Sequence, residues 1–314
     1  MEHNNAQILI LQDLGIEATD FESNLIQNKL SLQPIWGIKS SQLIPEKIAI
    51  IITIKEKVDE TLLKQFPNTQ LIAVAFTGYD VVDISYCSQN HISVCNVPSY
   101  ATDAVAELTI GLTISLLRDI PKTDHLIRNG GWNFRAGQEL KGKTIGIVGT
   151  GSIGLRVAEI FKVFGCELMG WSRTKNPDFI KLGGIYVDHI DALCAKVDIL
   201  SIHTPLNEST KNLIDVAQLK LMKPSAFLIN TARGPIVNQE ALTKALNDHI
   251  IAGAAIDVFD EEPVPQDLAL LKTTHSILTP HIAYKTQEAL QRRAAITIEN
   301  IRQFLTGNPI NKVN

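Results

Sequence analysis

A chain of 314 residues, 45% hydrophobic and 20% charged, is long enough for two ordinary globular domains, each with its own core. A formal net charge of −4 without any lysine/arginine cluster argues against a nucleic-acid-binding surface. The four cysteines are scattered without a C-x-x-C, and the eight histidines contain no H-x-x-x-H pair; a disulfide framework and a metal site are therefore not expected.

The N-terminal MEHNNAQILILQD carries an acid at once, and its apolar run is too short for a signal peptide. With the unpaired cysteines, this predicts a reduced, cytoplasmic protein. In the first hundred residues the predicted strands are QILILQD, IAIIITI, LIAVAF and ISVCNV. The most apolar of them, Ile48–Ile54, is far shorter than the roughly 20 residues that span a bilayer, and reads as a buried strand. Between strands lie helical stretches such as VDETLLKQF, apolar at Val58, Leu62, Leu63 and Phe66. Strands that are apolar throughout, separated by helices, predict a parallel sheet covered on both faces.

A long helix, TDAVAELTIGLTISLLRDI, follows from Thr102, with Thr102 or Asp103 as its cap and Pro121 ending or kinking it. The polar, glycine-containing passage up to GGWNFRAGQELKGK is a candidate arm. A second alternating series then begins, with strands TIGIV, CELMGW, IYV, VDILSIH, AFLINT, AAIDV and SILT. It predicts a second doubly wound unit, larger than the first. The last segment, TQEALQRRAAITIENIRQFL, has helical spacing at Leu290, Ala294, Ile298, Ile301 and Leu305.

The most specific local signal is TIGIVGTGSIGLRVAEIFKVFG, in which Gly149, Gly151 and Gly154 form G-x-G-x-x-G between a strand and an amphipathic helix (Ile153, Val157, Phe161, Phe164). The first glycine permits a tight turn, the second lets backbone approach a pyrophosphate, and the third lets helix and strand pack closely. Backbone N–H groups near Ser152 and Ile153 then face the phosphates at the favourable end of the helix dipole. Such folds usually place a carboxylate about 20 residues further on. Here the stretch is GWSRT, with Ser172 and Arg173 in its place.

Ligands of open α/β sheets bind at the carboxyl ends of strands. There, AFLINT is followed by Arg233, AAIDV by the acidic FDEEPVP, and SILT by His281 in PHIAY. A strand-end arginine also fits a surface ion pair, an acidic loop a solvated turn, and such a histidine a buried polar residue. Beside a glycine loop, the three make a set suited to reducing a 2-keto acid. A guanidinium holds a carboxylate by two hydrogen bonds. An imidazole gives and recovers a proton near neutral pH, and a carboxylate bonded to it stabilises its charged form.

GTGSIG (149–154), HTPLNEST (203–210), NTARGPIVNQEAL (230–242), DVFDEEP (257–263) and TPHIA (279–283), preceded by TGYDVVD (77–83) and NVPSYATDAVAE (96–107), together resemble the D-isomer-specific 2-hydroxyacid dehydrogenases over essentially the full chain. The resemblance implies an α/β fold of two doubly wound parallel-sheet domains. A flavodoxin-like substrate domain would comprise 1–100 and 284–314, and an inserted Rossmann-type dinucleotide-binding domain with a dimerisation arm would comprise 101–283. It also implies that Arg233 binds the substrate carboxylate and polarises the keto group, that His281 is the general acid–base, and that Glu262 is its partner. Asp257 would contact the nicotinamide carboxamide. Thr102, His203, Thr204, Pro205, Thr231 and Ala232 would line the cofactor, and backbone N–H groups at Thr77 and Gly78 would hold the substrate carboxylate. A homodimer is implied, with Trp132 near a partner's active site.

Within the family, TGYDVVD and TPHIAYKT look most like enzymes of hydroxypyruvate, glyoxylate or glycerate; D-lactate and D-3-phosphoglycerate remain alternatives, as does a dinucleotide-sensing corepressor on the same scaffold. Trp171 matches the family's frequent aromatic position, so Ser172 stands where an NAD enzyme has its ribose-binding acid. Serine removes the repulsion of a 2′-phosphate, and Arg173 and Thr174 add a cation and a hydroxyl, which favours NADP over NAD. The other reading is that Arg173 points to solvent or stacks on adenine, and NAD binds without a ribose acid.

Overall fold

The computed structural model describes residues 6–314; the opening MEHNN, part of the segment read as lacking a signal peptide, lies outside the described residues. Two compact units are present: one runs to Ala101 and resumes at Lys285–Asn314, and the other is Thr102–Tyr284.

The first unit contains β1 (Gln7–Ile10), α1 (Ala18–Gln27), β2 (Gln33–Trp36), β3 (Ile48–Thr53), α2 (Glu60–Leu63), β4 (Leu71–Val74), α3 (Ile84–Gln89) and β5 (Ser93–Cys95). Its strands pair in parallel in the order β2-β1-β3-β4-β5. Ile48, Ile50, Ile51 and Ile52 of β3 are all fully buried, as a strand covered on both faces requires. Each such side chain contributes roughly 1.5–3 kcal/mol of burial. The strand that composition did not reveal is β2, QPIW. It contains a proline, only Ile35 is buried, and it forms the sheet edge, where a missing N–H donor is tolerated.

The second unit contains α4 (Thr102–Leu117), α5 (Ile120–Arg128), β6 (Thr144–Val148), α6 (Ser152–Val163), β7 (Glu167–Trp171), α7 (Pro177–Lys181), β8 (Ile185–Tyr186), α8 (Ile190–Cys194), β9 (Ile199–Ile202), α9 (Val216–Leu221), β10 (Phe227–Asn230), α10 (Gln239–Asn247), β11 (Gly253–Ile256) and β12 (Ser276–Leu278). Its parallel sheet has the order β12-β11-β10-β9-β6-β7-β8. The chain winds outward from β6 in one direction and then from β9 in the other. The carboxyl ends of β6 and β9 therefore flank the crevice that such a reversal creates.

Three local expectations are corrected. Thr102 and Asp103 form the first turn of α4 rather than capping it, and the Asp103 carboxylate accepts from Arg156 Nε at 2.8 Å. That helix ends at Leu117, before the left-handed Asp119 (φ 51°), and Pro121 lies in the first turn of α5 instead of ending α4. A first-turn N–H has no helical acceptor, so proline loses nothing there. Phe164 follows α6 as its cap and is 44% exposed, whereas Val157 and Phe161 are fully buried. After Lys285, α11 (Gln287–Leu305) packs on β4, with the Thr286 hydroxyl accepting from Ala289 N at 3.2 Å. Its buried face includes Arg293, Thr297 and Asn300 beside Ala294, Ile298 and Ile301. Among the described residues, no helix is long and apolar enough to cross a membrane.

Candidate active site

The glycine loop separates three different demands. Gly149 has φ +89°, and a Cβ there would come within 2.8 Å of both His203 O and Thr204 N, so only glycine lets the loop lie against the end of β9. At Gly154 a Cβ would stand 2.0 Å from Gly149 O, which is why helix and loop can pack. At Gly151 nothing lies within 4 Å of the added carbon. This is an open cradle at the start of α6, where first-turn N–H groups have no helical acceptor. The residues fit a dinucleotide pyrophosphate: Gly151, Ser152 and Ile153 would hold it by backbone donors.

Around this cradle, His203 donates its backbone N–H to Val148 O at 2.7 Å, and its Nε2 lies 2.7 Å from Ser201 Oγ. Burial pushes this imidazole down to about 3, so it is neutral at physiological pH. Thr204 meets the glycine loop through its backbone, and Pro205 O accepts from the Thr210 hydroxyl at 2.7 Å. Thr231 is buried, with its hydroxyl 3.1 Å from that of Thr109. Beyond β7, Ser172 is half-buried and Arg173 and Thr174 are exposed. In the other unit, past β4, the Thr77 hydroxyl donates to Val97 O at 3.0 Å and Thr77 O accepts from Asn96 Nδ2 at 2.7 Å; Gly78 follows directly.

Arg233, Glu262 and His281 follow β10, β11 and β12, which are consecutive in the sheet. The sequence separates them widely, but the strand order brings their loops side by side. His281 Nδ1 lies 2.7 Å from Glu262 Oε2, and Glu262 Oε1 accepts from Phe259 N at 3.2 Å. The carboxylate is therefore anchored on its own loop while it engages the imidazole. The Tyr284 ring stands edge-on to the imidazole, with centroids 5.6 Å apart.

Residues that the sequence reading did not single out build this geometry. Asn230, at the end of β10, accepts from Ala232 N at 3.0 Å and donates to Arg233 O at 2.9 Å, and so shapes the turn that carries the guanidinium. A Cβ at Gly234 would fall 2.1 Å from the carbonyl carbon of Phe259; the arginine turn therefore rests on the backbone that leads to Glu262. Asp257, expected at the nicotinamide carboxamide, has its carboxylate bonded to the loop of His281. Oδ1 accepts from the Thr279 hydroxyl (2.6 Å) and Ile282 N (2.9 Å), and Oδ2 accepts from Ala283 N (2.9 Å). Burial pushes the Asp257 carboxyl up, while these three bonds favour its ionised form. They hold His281 in a left-handed conformation (φ 51°) that a non-glycine residue adopts only when its surroundings impose it. The conspicuous cue was Asx chemistry at strand ends, in INTARG and IDVF.

The family model for the NAD-binding domain of D-isomer-specific 2-hydroxyacid dehydrogenases matches residues 110–283. A glyoxylate reductase of Thermofilum pendens is 40% identical over 271 residues, covering 84% of this chain and 80% of that protein. The chain belongs to the D-isomer-specific 2-hydroxyacid dehydrogenase family. Among solved structures, an NADPH-dependent glyoxylate/hydroxypyruvate reductase from Sinorhizobium meliloti, in complex with NADP and malonate, is 28% identical with a TM-score of 0.86, covering 98% of this chain and 96% of that one. A D-lactate dehydrogenase from Aquifex aeolicus, complexed with NAD and lactic acid, is 27% identical with a TM-score of 0.85, covering 98% and 100%. This 2-hydroxyacid dehydrogenase thus uses a nicotinamide cofactor and acts on a CH–OH group of a small molecule.

Proposed function

We propose that this dehydrogenase reduces glyoxylate or hydroxypyruvate, and that it favours NADPH over NADH. The observation that carries the reading is the 2.7 Å His281–Glu262 pair at the ends of β12 and β11, beside the strand end that carries Arg233. A nicotinamide held at the glycine loop would supply the hydride for the keto carbon. Arg233 holds the substrate carboxylate and polarises the carbonyl. Because Glu262 engages Nδ1, the proton that His281 delivers to the nascent alkoxide is the one on Nε2. Thr77 and Gly78 are assigned to the carboxylate from the five-stranded unit, which makes that unit the substrate domain and Thr102–Tyr284 the cofactor domain. The Thermofilum relative's activity and the Sinorhizobium neighbour's substrates support small keto acids.

The protein is proposed to act as a cytoplasmic homodimer. Within the cofactor domain, Ile120, Ile127, Trp132 and Phe134 are exposed along a groove of about 490 Å³ whose other lining includes Ile114 and Leu126. An exposed apolar patch of this kind supports an association surface. All four cysteines are free and buried, as suits a reducing compartment.

Glu262→Gln tests the proton path. The substitution keeps the side-chain shape but removes the carboxylate that engages Nδ1, so the imidazole is no longer held in one orientation toward the keto acid. The kcat for reduction falls by at least about tenfold while cofactor affinity stays near wild type. A kcat close to wild type contradicts the pairing.

Turnover and cofactor choice are read in one assay, by following nicotinamide oxidation with glyoxylate and hydroxypyruvate. Wild type is expected to turn over both and to show the higher kcat/KM with NADPH. A Ser172→Asp, Arg173→Ala double variant restores a ribose-binding acid and removes the cation, and the order reverses. A wild type that prefers NADH tenfold ends the NADPH reading. Cofactor binding without any turnover favours the corepressor-type alternative.

A further inference from the structure

Strand β8 is a two-residue edge strand that no step above uses, yet its Tyr186 joins two parts of the cofactor domain. Its hydroxyl lies 2.5 Å from Thr150 Oγ1, inside the glycine loop, and accepts from Asn176 N at 2.8 Å. Asn176 in turn donates its side-chain amide to Thr150 O at 2.9 Å. At the other end of the intervening segment, Gly149 N donates to Trp171 O at 2.8 Å. Residues Ser172–Lys175 therefore form a short arch whose two ends are bonded to consecutive residues of the glycine loop.

The tyrosine ring itself cannot drift. It packs on Phe179, with centroids 5.1 Å apart, and Phe179 is fully buried. Gly170 and Gly184 make room for that phenylalanine, since a Cβ at either would come within 2.8 and 2.3 Å of its ring. The two cations of the arch differ in their surroundings. Lys175 Nζ stands 5.9 Å from the Tyr186 centroid and 3.7 Å from Asp188. Arg173 is exposed, and among the described residues it pairs with no carboxylate.

We propose that Tyr186 is a positioning residue for cofactor selection, whose hydroxyl holds the Ser172–Lys175 arch where Ser172 and Arg173 meet the 2′ position of the adenosine ribose. The inference rests on the NADPH reading above. Without the hydroxyl, the arch keeps its Trp171 tie, but its other end has fewer bonds to the glycine loop. Ordering it then falls to the binding event, and affinity is lost in proportion to what the arch recognises. A 2′-phosphate depends on the placement of Arg173 and Ser172 together, so NADPH is affected more than NADH.

The test is the dissociation constant of each cofactor, read by nicotinamide fluorescence, for wild type and Tyr186→Phe. Phenylalanine keeps the ring on Phe179 and removes only the hydroxyl. NADPH binding is expected to weaken about tenfold, NADH binding by less than about threefold, and kcat at saturating cofactor to stay near wild type. A loss of stability alone leaves the NADPH/NADH affinity ratio unchanged, and an unchanged ratio overturns the proposal. A wild type that binds NADH more tightly defeats the 2′-phosphate reading instead. The positioning role is then decided on the NADPH/NADH affinity ratio, which must still fall in Tyr186→Phe; an unchanged ratio overturns it. If Tyr186→Phe does not fold, Thr150→Val cuts the bond to the loop from the other side and must lower the NADPH/NADH affinity ratio in the same direction.

Discussion

His281→Ala is expected to lower kcat for keto-acid reduction by about 10²–10⁴-fold, with little change in NADPH affinity. The hydride still reaches the carbon, but no side chain delivers the proton that the developing alkoxide needs. The imidazole sits at the end of β12, while the glycine cradle lies at the end of β6, several strands away in the sheet, so the loss falls on turnover rather than on cofactor binding. Alanine at a left-handed position (φ 51°) adds backbone strain to the chemical loss. His281→Asn separates the two effects, because asparagine tolerates that conformation and still cannot serve as the acid. Both variants are to be compared with wild type by steady-state kinetics on glyoxylate and hydroxypyruvate. A near-wild-type kcat in both removes His281 from the reaction.

Arg233→Lys is expected to raise the KM for the keto acid by about 10–100-fold, the equivalent of one charged hydrogen bond worth roughly 1.5–3 kcal/mol. Both side chains are cationic, but only the planar guanidinium presents two parallel donors to a carboxylate. The turn itself should survive, because Asn230 holds it through backbone groups, donating to Arg233 O and accepting from Ala232 N. A lysine variant that is stable and binds NADPH normally therefore isolates the geometry of the head group. If its KM stays within twofold of wild type, Arg233 is a surface residue and the carboxylate is held elsewhere.

Much of this protein is legible in its sequence. Uninterrupted apolar runs such as Ile48–Ile52 and FLIN predict buried parallel strands, because burial on both faces leaves no polar alternation. The glycine spacing is equally local: turn, cradle and close packing are demands on single backbone positions, and glycine alone meets all three. Arg233, the acidic loop and His281 stood out because each follows a strand end, where ligands of such sheets bind.

Other features depended on which elements become neighbours. Strand β2 hid behind a proline that is acceptable only at an edge, and edge status is a property of the sheet. Nothing local to Asp257 announces that its oxygens meet the N–H groups of Ile282 and Ala283 and fix the backbone of His281. The role of Tyr186 likewise depends on the sheet, which sets its hydroxyl against Thr150 and Asn176. The sequence by itself determined which side chains of suitable chemistry follow the strand ends, since donor, acceptor and charge belong to side chains. Only the tertiary structure decided how they are aimed, since aim comes from hydrogen bonds between segments that meet only once the strands have taken their order.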